Sequence, residues 1–185
     1  MPFIRADAAM FDEIVGEMDP EDLPPGFADQ RPSGEFEYES AEAKYDFAEL
    51  EPPARVMLDA LRALGASHFI VHYDGGYDEG FAHAGDVRFA NGLMDAREVA
   101  EAMAKPPLIA EIRAAAEKLK YSGYYKQLED SKIVGHTLDD LAHQLASKLL
   151  GDGYGTGEYE LYGSFTADLN SGEIVDDPNA KPQKG

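Results

Sequence analysis

The sequence predicts an α+β fold in which an antiparallel sheet of about four strands, formed by two β-hairpins, is covered by helices on one face. Apolar and polar residues alternate with a period of two in two places, residues 67–89 and 156–175, each beside a glycine-rich turn. Elsewhere apolar residues recur at helical spacing. Strands that occur in pairs, instead of alternating singly with helices, favour an α+β fold over a parallel α/β fold.

We divide the 185 residues into three parts. An acidic helical or irregular N-terminal extension covers residues 1–51, an α+β core domain covers 52–176, and a frayed tail covers 177–185. Two helices are predicted in the extension, over residues 7–18 and 40–50. Their apolar stripes are Met10, Ile14 and Met18 in the first and Ala43, Phe47 and Leu50 in the second.

Helical spacing and capping residues predict four helices in the core domain. The first ends at Gly65, a good left-handed cap, and the second begins at Asp95 as N-cap. The last combines Thr137 with Asp140 in a capping-box pattern and ends at Gly151. The predicted helices cover 53–64, 95–105, 108–119 and 137–150.

A group of histidines and carboxylates lies on the first predicted hairpin. His68, His72 and Asp74 are separated by even numbers of residues, so on a strand their side chains leave the same face. A returning strand brings His83 alongside them. Imidazoles with a carboxylate suit Zn, Mn or Fe, whereas Asp74, Asp78 and Glu79 around the glycine-rich turn equally suit Mg or Ca, which prefer oxygen ligands. If the chain is an enzyme, His72 is the general base or metal ligand and Asp74 its partner. The alternative is that the glycines serve the turn, the acids face water and the histidines occupy half-buried strand positions.

Two glycine- and tyrosine-rich loops, residues 74–80 and 151–159, are predicted to lie at the same end of the sheet. That end is the preferred functional surface, because tyrosine offers contact area and a hydroxyl at low entropic cost. An alternative is that the tyrosines belong to the edge of the core. The candidate binding residues are Tyr73, Tyr77, Asp78, Glu79, Tyr154 and Tyr159. Tyr121, Tyr124 and Tyr125 form a further aromatic candidate, and His136 and His143 are predicted to face solvent.

The composition and charge of the chain exclude or disfavour several classes of function. The chain has no Cys, which excludes disulfides, thiolate catalysis and Cys-based metal sites. Its net charge is −20, and residues 1–51 alone hold 15 carboxylates against three cations, a net of −12. This charge disfavours direct binding to nucleic acid or to an anionic membrane and favours a basic protein partner. No basic leader or long apolar run is evident, so a cytoplasmic location is expected.

The run from Val71 to Gly80, followed by the loop at 153–159 and a hairpin ending at Ile174, resembles an uncharacterised bacterial family of unknown function. Members carry a Gly-x-Gly-Asp-Ser-Gly-type turn after one strand and a second glycine-rich loop before a final hairpin. Here Asp-Glu-Gly stands at 78–80 in place of Asp-Ser-Gly, and no Trp precedes the second loop. The resemblance covers residues 67–176 and implies no established activity.

The sequence lacks the serine-hydrolase turn, the dinucleotide fingerprint and the phosphate-binding loop. The leading hypothesis is therefore a non-enzymatic protein-binding or regulatory module that acts through its acidic surface and the two loops. No cofactor is predicted. One alternative is a metal-dependent hydrolase that uses a divalent metal at the His/Asp cluster. A second is a nucleic-acid-mimicking inhibitor from a phage or mobile element.

Overall fold

The computed structural model describes residues 42–76, 79–154 and 161–177. The helix predicted over 7–18, most of the acidic extension and residues 178–185 lie outside these ranges. Nucleic-acid mimicry depends on the acids of that extension, so the described residues do not bear on it.

The described strands form one six-stranded sheet, and every neighbouring pair is antiparallel. Their order is β1-β6-β5-β2-β3-β4, with β2 and β5 at the centre. The strands are β1 (Glu42–Lys44), β2 (His68–Gly76), β3 (Glu79–Phe89), β4 (Gly92–Asp95), β5 (Leu161–Asp168) and β6 (Glu173–Asp177).

Five α-helices complete the described fold, which confirms the α+β class. A short 3₁₀ helix over Phe47–Glu49 precedes them. The α-helices are α1 (Pro52–Ala63), α2 (Ala96–Met103), α3 (Pro106–Ala116), α4 (Ser122–Gln127) and α5 (Asp130–Leu150). Asp95 caps α2, as predicted, by accepting hydrogen bonds from the backbone N–H groups of Arg97 and Glu98.

The helices cover one face of the sheet because its strands alternate in polarity. In β2, Phe69, Val71 and Tyr73 are buried, whereas the residues between them are only partly buried or exposed. Helix α5 contacts β1, β2, β3 and β6, and α1, α2 and α3 pack against α5. Ten α5 residues are buried, so this helix is the centre of the hydrophobic core.

The sheet has six described strands and not about four, because two short edge strands were not predicted. Strand β1 falls where a helix over 40–50 was expected and within the predicted extension. Ala43 pairs there with Ile174, and the Tyr45 N–H donates to the Gly172 carbonyl over 2.8 Å. Pairing with β6 thus overrides a helical spacing of apolar residues. Strand β4, four residues long, is too short for its alternation to be recognised.

Helix α5 begins at Asp130, seven residues before the predicted start at Thr137. Thr137 is fully buried inside the helix, and its hydroxyl donates to the Ile133 carbonyl over 2.6 Å. The first two turns contain Ile133, Val134 and Gly135, which have low helix propensity. The Gly135 backbone approaches Ala100 of α2, so tertiary packing stabilises turns that local propensity does not favour. The predicted end at Gly151 is confirmed, with φ of +90°.

No helix among the described residues is long and apolar enough to cross a lipid bilayer.

Candidate functional site

The His/Asp cluster lies on the face of the sheet opposite the helices. His72 is directly opposite His83 on β3 and Ser164 on β5, and Asp74 is opposite Phe81. The predicted juxtaposition of His72 and His83 across the first hairpin is therefore confirmed. His83 also stacks on Phe81, with 6.4 Å between ring centroids and 5° between planes.

His68 belongs to a different part of that face. It is four residues from His72 along β2, which corresponds to about 13 Å of strand. Its Nδ1 lies 2.9 Å from the Ser67 hydroxyl, and its Nε2 lies 3.9 Å from a carboxylate oxygen of Asp168. Across the described residues, no group of three or more His, Asp or Glu side chains is arranged to hold a metal ion.

A β-bulge lies beside the cluster, next to the His72 ring. The pairing between β2 and β3 shifts between Phe69 and Val71. At the bulge, a Cβ on Gly85 would lie 2.6 Å from the His72 Nε2, so the imidazole lies directly against a backbone that carries no side chain. The nearby Ala84 N–H donates to Asp139 of α5 over 2.9 Å, which ties the bulge to the helix layer.

The strand ends that adjoin the two glycine-rich loops meet at one end of the sheet, whereas residues 77–78 and 155–160 lie outside the described residues. Asp74 pairs with Tyr162 and Gly75 with Leu161, so the end of β2 adjoins the start of β5. The described start of the second loop, residues 151–154, approaches the same end, since Tyr154 is close enough to Asp74 for that carboxylate to raise its pKa. We call it the loop end and define it by Asp74 and Glu79 at the strand ends and by Tyr154 with Asp152, which precedes Tyr154 by two residues.

Two candidate binding tyrosines are buried and support the loop end from within. Tyr73 is 3% exposed, and its hydroxyl donates to the buried carboxylate of Asp176 over 2.9 Å. Tyr154 is 4% exposed, and its hydroxyl lies 3.1 Å from Nδ1 of His143, an exposed residue of α5 as predicted. These positions agree with the alternative that the tyrosines belong to the core, so their side chains anchor the loops and do not face a partner.

The carboxylate of Asp74 on β2 affects the ionisation of Tyr154, which follows α5. Burial, and secondly the nearby carboxylate of Asp74, raise the pKa of Tyr154 to about 12. The phenol is protonated at neutral pH, as an ordinary tyrosine is, and can donate a hydrogen bond to Nδ1 of His143.

Three carboxylates at the loop end are directed to solvent. Asp74, Glu79 and Asp152 are exposed, and none forms an ion pair with a cation among the described residues. The other candidates, Tyr77, Asp78 and Tyr159, lie outside the described residues. The described residues of the loop end therefore present negative charge on a backbone that the buried Tyr73 and Tyr154 anchor.

A second site was only partly predicted. Tyr125 is 5% exposed, and its hydroxyl donates to Oδ2 of Asp140, while the His136 Nε2 lies 3.3 Å from the same oxygen. Burial, followed by the hydrogen bond to Asp140, raises the pKa of Tyr125 well above its usual value. The His136 ring lies between two tyrosines, with centroid distances of 4.8 Å to Tyr124 and 5.2 Å to Tyr125.

The prediction that His136 faces solvent is wrong, since its side chain is only 27% exposed. The error follows from placing the helix start at Thr137. With α5 beginning at Asp130, His136 and Asp140 are four residues apart and lie on one helical face. That spacing, together with the adjacent tyrosines, was the available signal for this cluster.

Comparisons with protein-family models, with curated proteins and with solved structures found no match to this chain. Its resemblance to an uncharacterised bacterial family therefore rests on the sequence motifs alone.

Proposed function

We propose that the chain is a non-enzymatic binding or regulatory module whose loop end receives a basic segment of a protein partner. The observation that carries the proposal is the set of three exposed carboxylates, Asp74, Glu79 and Asp152, none of which forms an ion pair with a cation among the described residues. A partner's Lys or Arg side chains would supply the missing counter-charges.

The charge of the whole chain supports this choice of partner. A net charge of −20 creates a field that attracts basic proteins and repels polyanions over distances of about one Debye length. Such a field increases the rate of encounter, and local carboxylates then fix where the partner binds.

The backbone beneath the loop end is well supported. β2 and β5 are central strands of the sheet, and Tyr73 and Tyr154 attach the adjacent segments to buried or helical partners. Charges held on a rigid scaffold lose less entropy on binding than charges on a free chain.

The proposal is tested by comparing two triple variants that remove the same number of charges. A fluorescent peptide of alternating Lys and Gly serves as the probe, and anisotropy gives its Kd at low and at physiological salt. The test variant combines Asp74→Asn, Glu79→Gln and Asp152→Asn. The control variant combines Glu98→Gln, Glu111→Gln and Glu117→Gln, which are exposed and form no ion pairs among the described residues.

We expect the test variant to weaken peptide binding about tenfold at low salt, and the control variant to change it less than about twofold. An equal loss of peptide affinity in both variants would mean that the peptide responds only to net charge, which would contradict specific binding at the loop end. Unfolding midpoints of all three proteins verify that the fold persists.

Metal-dependent hydrolysis is a second proposal, favoured by the cross-strand pair of His72 and His83. Facing residues on neighbouring strands have Cβ atoms about 5 Å apart, close enough for two imidazoles to share an ion. Asp74, two residues along β2, is the third candidate from the sequence, but its carboxylate does not form a three-membered metal-binding group with the two imidazoles in the described structure.

Thermal unfolding with Zn, Mn, Mg, Ca or EDTA at matched ionic strength tests this proposal. A bound metal raises the midpoint by mass action. We expect one metal to raise it selectively, and His72→Ala or Asp74→Ala to abolish the increase while His143→Ala retains it. An equal response to every divalent ion would contradict metal binding at this pair.

A further inference from the structure

A cavity of about 480 Å³ lies between the C-terminal turn of α5 and the segment that joins β1 to α1. We call it the Tyr45 cavity, and the described residues that line it include Tyr45, Glu49, Gln144, Lys148 and Asp152. Its volume falls within the range of ligand sites. Because Asp152 is also a residue of the loop end, the cavity adjoins the site proposed for the basic partner.

The Tyr45 side chain brings an unpartnered polar group to this cavity. Tyr45 is only 8% exposed, and its hydroxyl forms no hydrogen bond within the described part of the chain. None of the described side chains has a fully buried oxygen or nitrogen atom that lacks a partner. The hydroxyl therefore reaches the cavity that Tyr45 lines. Buried polar side chains normally form hydrogen bonds, so this oxygen is a contact point for a ligand.

The charges that line the Tyr45 cavity favour a cation. Two carboxylates, Glu49 and Asp152, oppose one cation, Lys148. The cavity also lies at the carbonyl end of α5, where the helix contributes a partial negative charge.

The ionisation of Tyr45 reflects the same negative potential. Burial, and secondly the carboxylates of Glu49, Glu51 and Asp46, raise the pKa of the phenol. These carboxylates disfavour a negative phenolate, and they would stabilise a positive group at the same place because the sign of its charge is opposite.

Lys148 neutralises Glu49 only in part. Its Nζ lies 3.9 Å from the carboxylate, which is longer than a hydrogen bond, and the two side chains are 43% and 60% exposed. Such a surface pair contributes little, so Glu49 can exchange Lys148 for a cation that donates hydrogen bonds directly. Asp152 forms no ion pair with any described cation.

Two donors beside the cavity are already engaged and are not available to an anion. The Gln144 Nε2 donates to the Asp140 carbonyl over 3.3 Å. The backbone N–H of Gly151 donates to the Ser147 carbonyl over 2.8 Å. What remains for a ligand is chiefly acceptor oxygen on Glu49 and Asp152, together with the Tyr45 hydroxyl.

We propose that the Tyr45 cavity receives an arginine side chain of the basic partner segment. The guanidinium group donates to the Glu49 carboxylate and to the Tyr45 hydroxyl oxygen, and Lys148 moves aside. Arginine suits several separate acceptors better than lysine does, because it presents five N–H donors in a planar fork whereas an ammonium group is a compact, strongly hydrated charge. The identity of the occupant rests on the proposed function, to which the cavity adds a selection for arginine.

Three peptides test this selection by fluorescence anisotropy on the full chain. The first is the peptide of alternating Lys and Gly, and in the other two a single central lysine is replaced by arginine or by its neutral analogue citrulline. We expect the arginine peptide to bind at least about fivefold more tightly than the lysine peptide, and the citrulline peptide to bind no more tightly than it. Equal affinities of the arginine and lysine peptides would overturn the proposal.

Variants then locate the arginine. Tyr45→Phe removes the hydroxyl and Glu49→Gln removes the negative charge, and each should reduce the gain from arginine to less than about twofold. The Kd of the lysine peptide should stay within about twofold in both. Tyr121→Phe and Glu98→Gln, at exposed positions outside the cavity lining, are the matched controls and should keep the full gain. A gain that persists in both test variants, with unfolding midpoints verifying the fold, would overturn the proposal.

A further variant separates this inference from the proposed function. Asp74→Asn combined with Glu79→Gln changes the loop end outside the cavity lining, so it should weaken both peptides and leave the gain from arginine intact. If this variant bound the lysine peptide normally while the gain still required Tyr45, binding at the loop end would be refuted and the arginine cavity would stand. If it weakened the lysine peptide while arginine gave no gain, the loop end would stand and the arginine cavity would be refuted.

Discussion

Gly85 is required by the close approach of two strands at the β-bulge. A Cβ at this position would lie 2.6 Å from the His72 Nε2 and 2.9 Å from the Ile70 carbonyl oxygen. The imidazole can rotate away, but the carbonyl belongs to the backbone of a central strand. Both contacts are closer than van der Waals packing allows.

We expect Gly85→Ala to lower the free energy of unfolding by about 1–3 kcal/mol, as overpacking does in other cores. Adding His72→Ala should restore only part of this loss, because the clash with the Ile70 carbonyl remains. Urea denaturation of the two single variants and the double variant measures the coupling. Full restoration would mean that the imidazole is the sole obstacle.

Tyr154 should make the protein sensitive to alkali. Its pKa is about 12 in the folded chain against an ordinary value of 10.0, so the unfolded chain releases this proton first as the pH rises. The stabilisation is complete below pH 10.0 and is lost as the pH rises towards 12. The free energy of unfolding therefore falls on going from neutral to alkaline pH.

Urea denaturation at about pH 9 and about pH 11 tests this prediction. The unmodified chain should lose more stability between the two conditions than Tyr154→Phe. Tyr121→Phe, at an 83% exposed position, is the matched control and should behave like the unmodified chain. A Tyr154→Phe variant with the same alkaline loss would contradict the assignment.

The sequence predicted the positions of some of these side chains and not of others. His72 and Asp74 are two residues apart on a strand, which was enough to place them on one face. The geometry of the hairpin then placed His83 beside His72. The contacts of His136 depend on where α5 begins, which packing against α2 decides, and on Tyr125, eleven residues earlier.

At the scale of elements, the β5–β6 hairpin organises one edge of the sheet. Asp168 accepts hydrogen bonds from the backbone N–H groups of Asn170 and Ser171, and these bonds lower the pKa of its carboxyl group. Gly172 closes the turn with φ of +78°, and its carbonyl accepts from Tyr45. This turn joins the segment after β1 to the hairpin.

Gly172→Ala should be more damaging than Gly65→Ala, although both glycines have positive φ. At Gly65 nothing lies within 4 Å of a new Cβ, so only backbone strain of about 1 kcal/mol is expected. At Gly172 the Cβ would overlap the Tyr45 carbonyl oxygen, and we expect a loss of about 2–4 kcal/mol. Chemical denaturation measures both, and equal losses would show that the contact with Tyr45 relaxes freely.

Elements that carry a local sequence pattern were predicted, and elements that depend on distant contacts were not. Helix α1, the β2–β3 hairpin and the β5–β6 hairpin carry local patterns and were predicted. Strand β1 has three residues and exists through its pairing with β6, and the start of α5 depends on packing against α2. Both were missed because their stabilising contacts are distant in sequence.

At the scale of the whole molecule, negative charge dominates the electrostatics. The described ion pairs are surface pairs or involve partly exposed side chains, and such pairs contribute little individually. Repulsion among the carboxylates of a chain with net charge −20 is therefore the larger effect.

We expect the thermal unfolding midpoint to rise as sodium chloride is added, because salt screens this repulsion. The control triple variant Glu98→Gln, Glu111→Gln and Glu117→Gln, which carries three fewer charges, should start at a higher midpoint and respond less to salt. A midpoint that falls with salt would mean that attractive ion pairs outweigh the repulsion.

Hydrogen–deuterium exchange of the full chain with and without the Lys-Gly peptide tests whether a basic segment binds at the loop end. We expect slower exchange in the segments around Asp74, Glu79 and Asp152, and loss of that protection in the variant that neutralises these three residues. Protection confined to other parts of the chain, or retained in that variant, would contradict binding at the loop end.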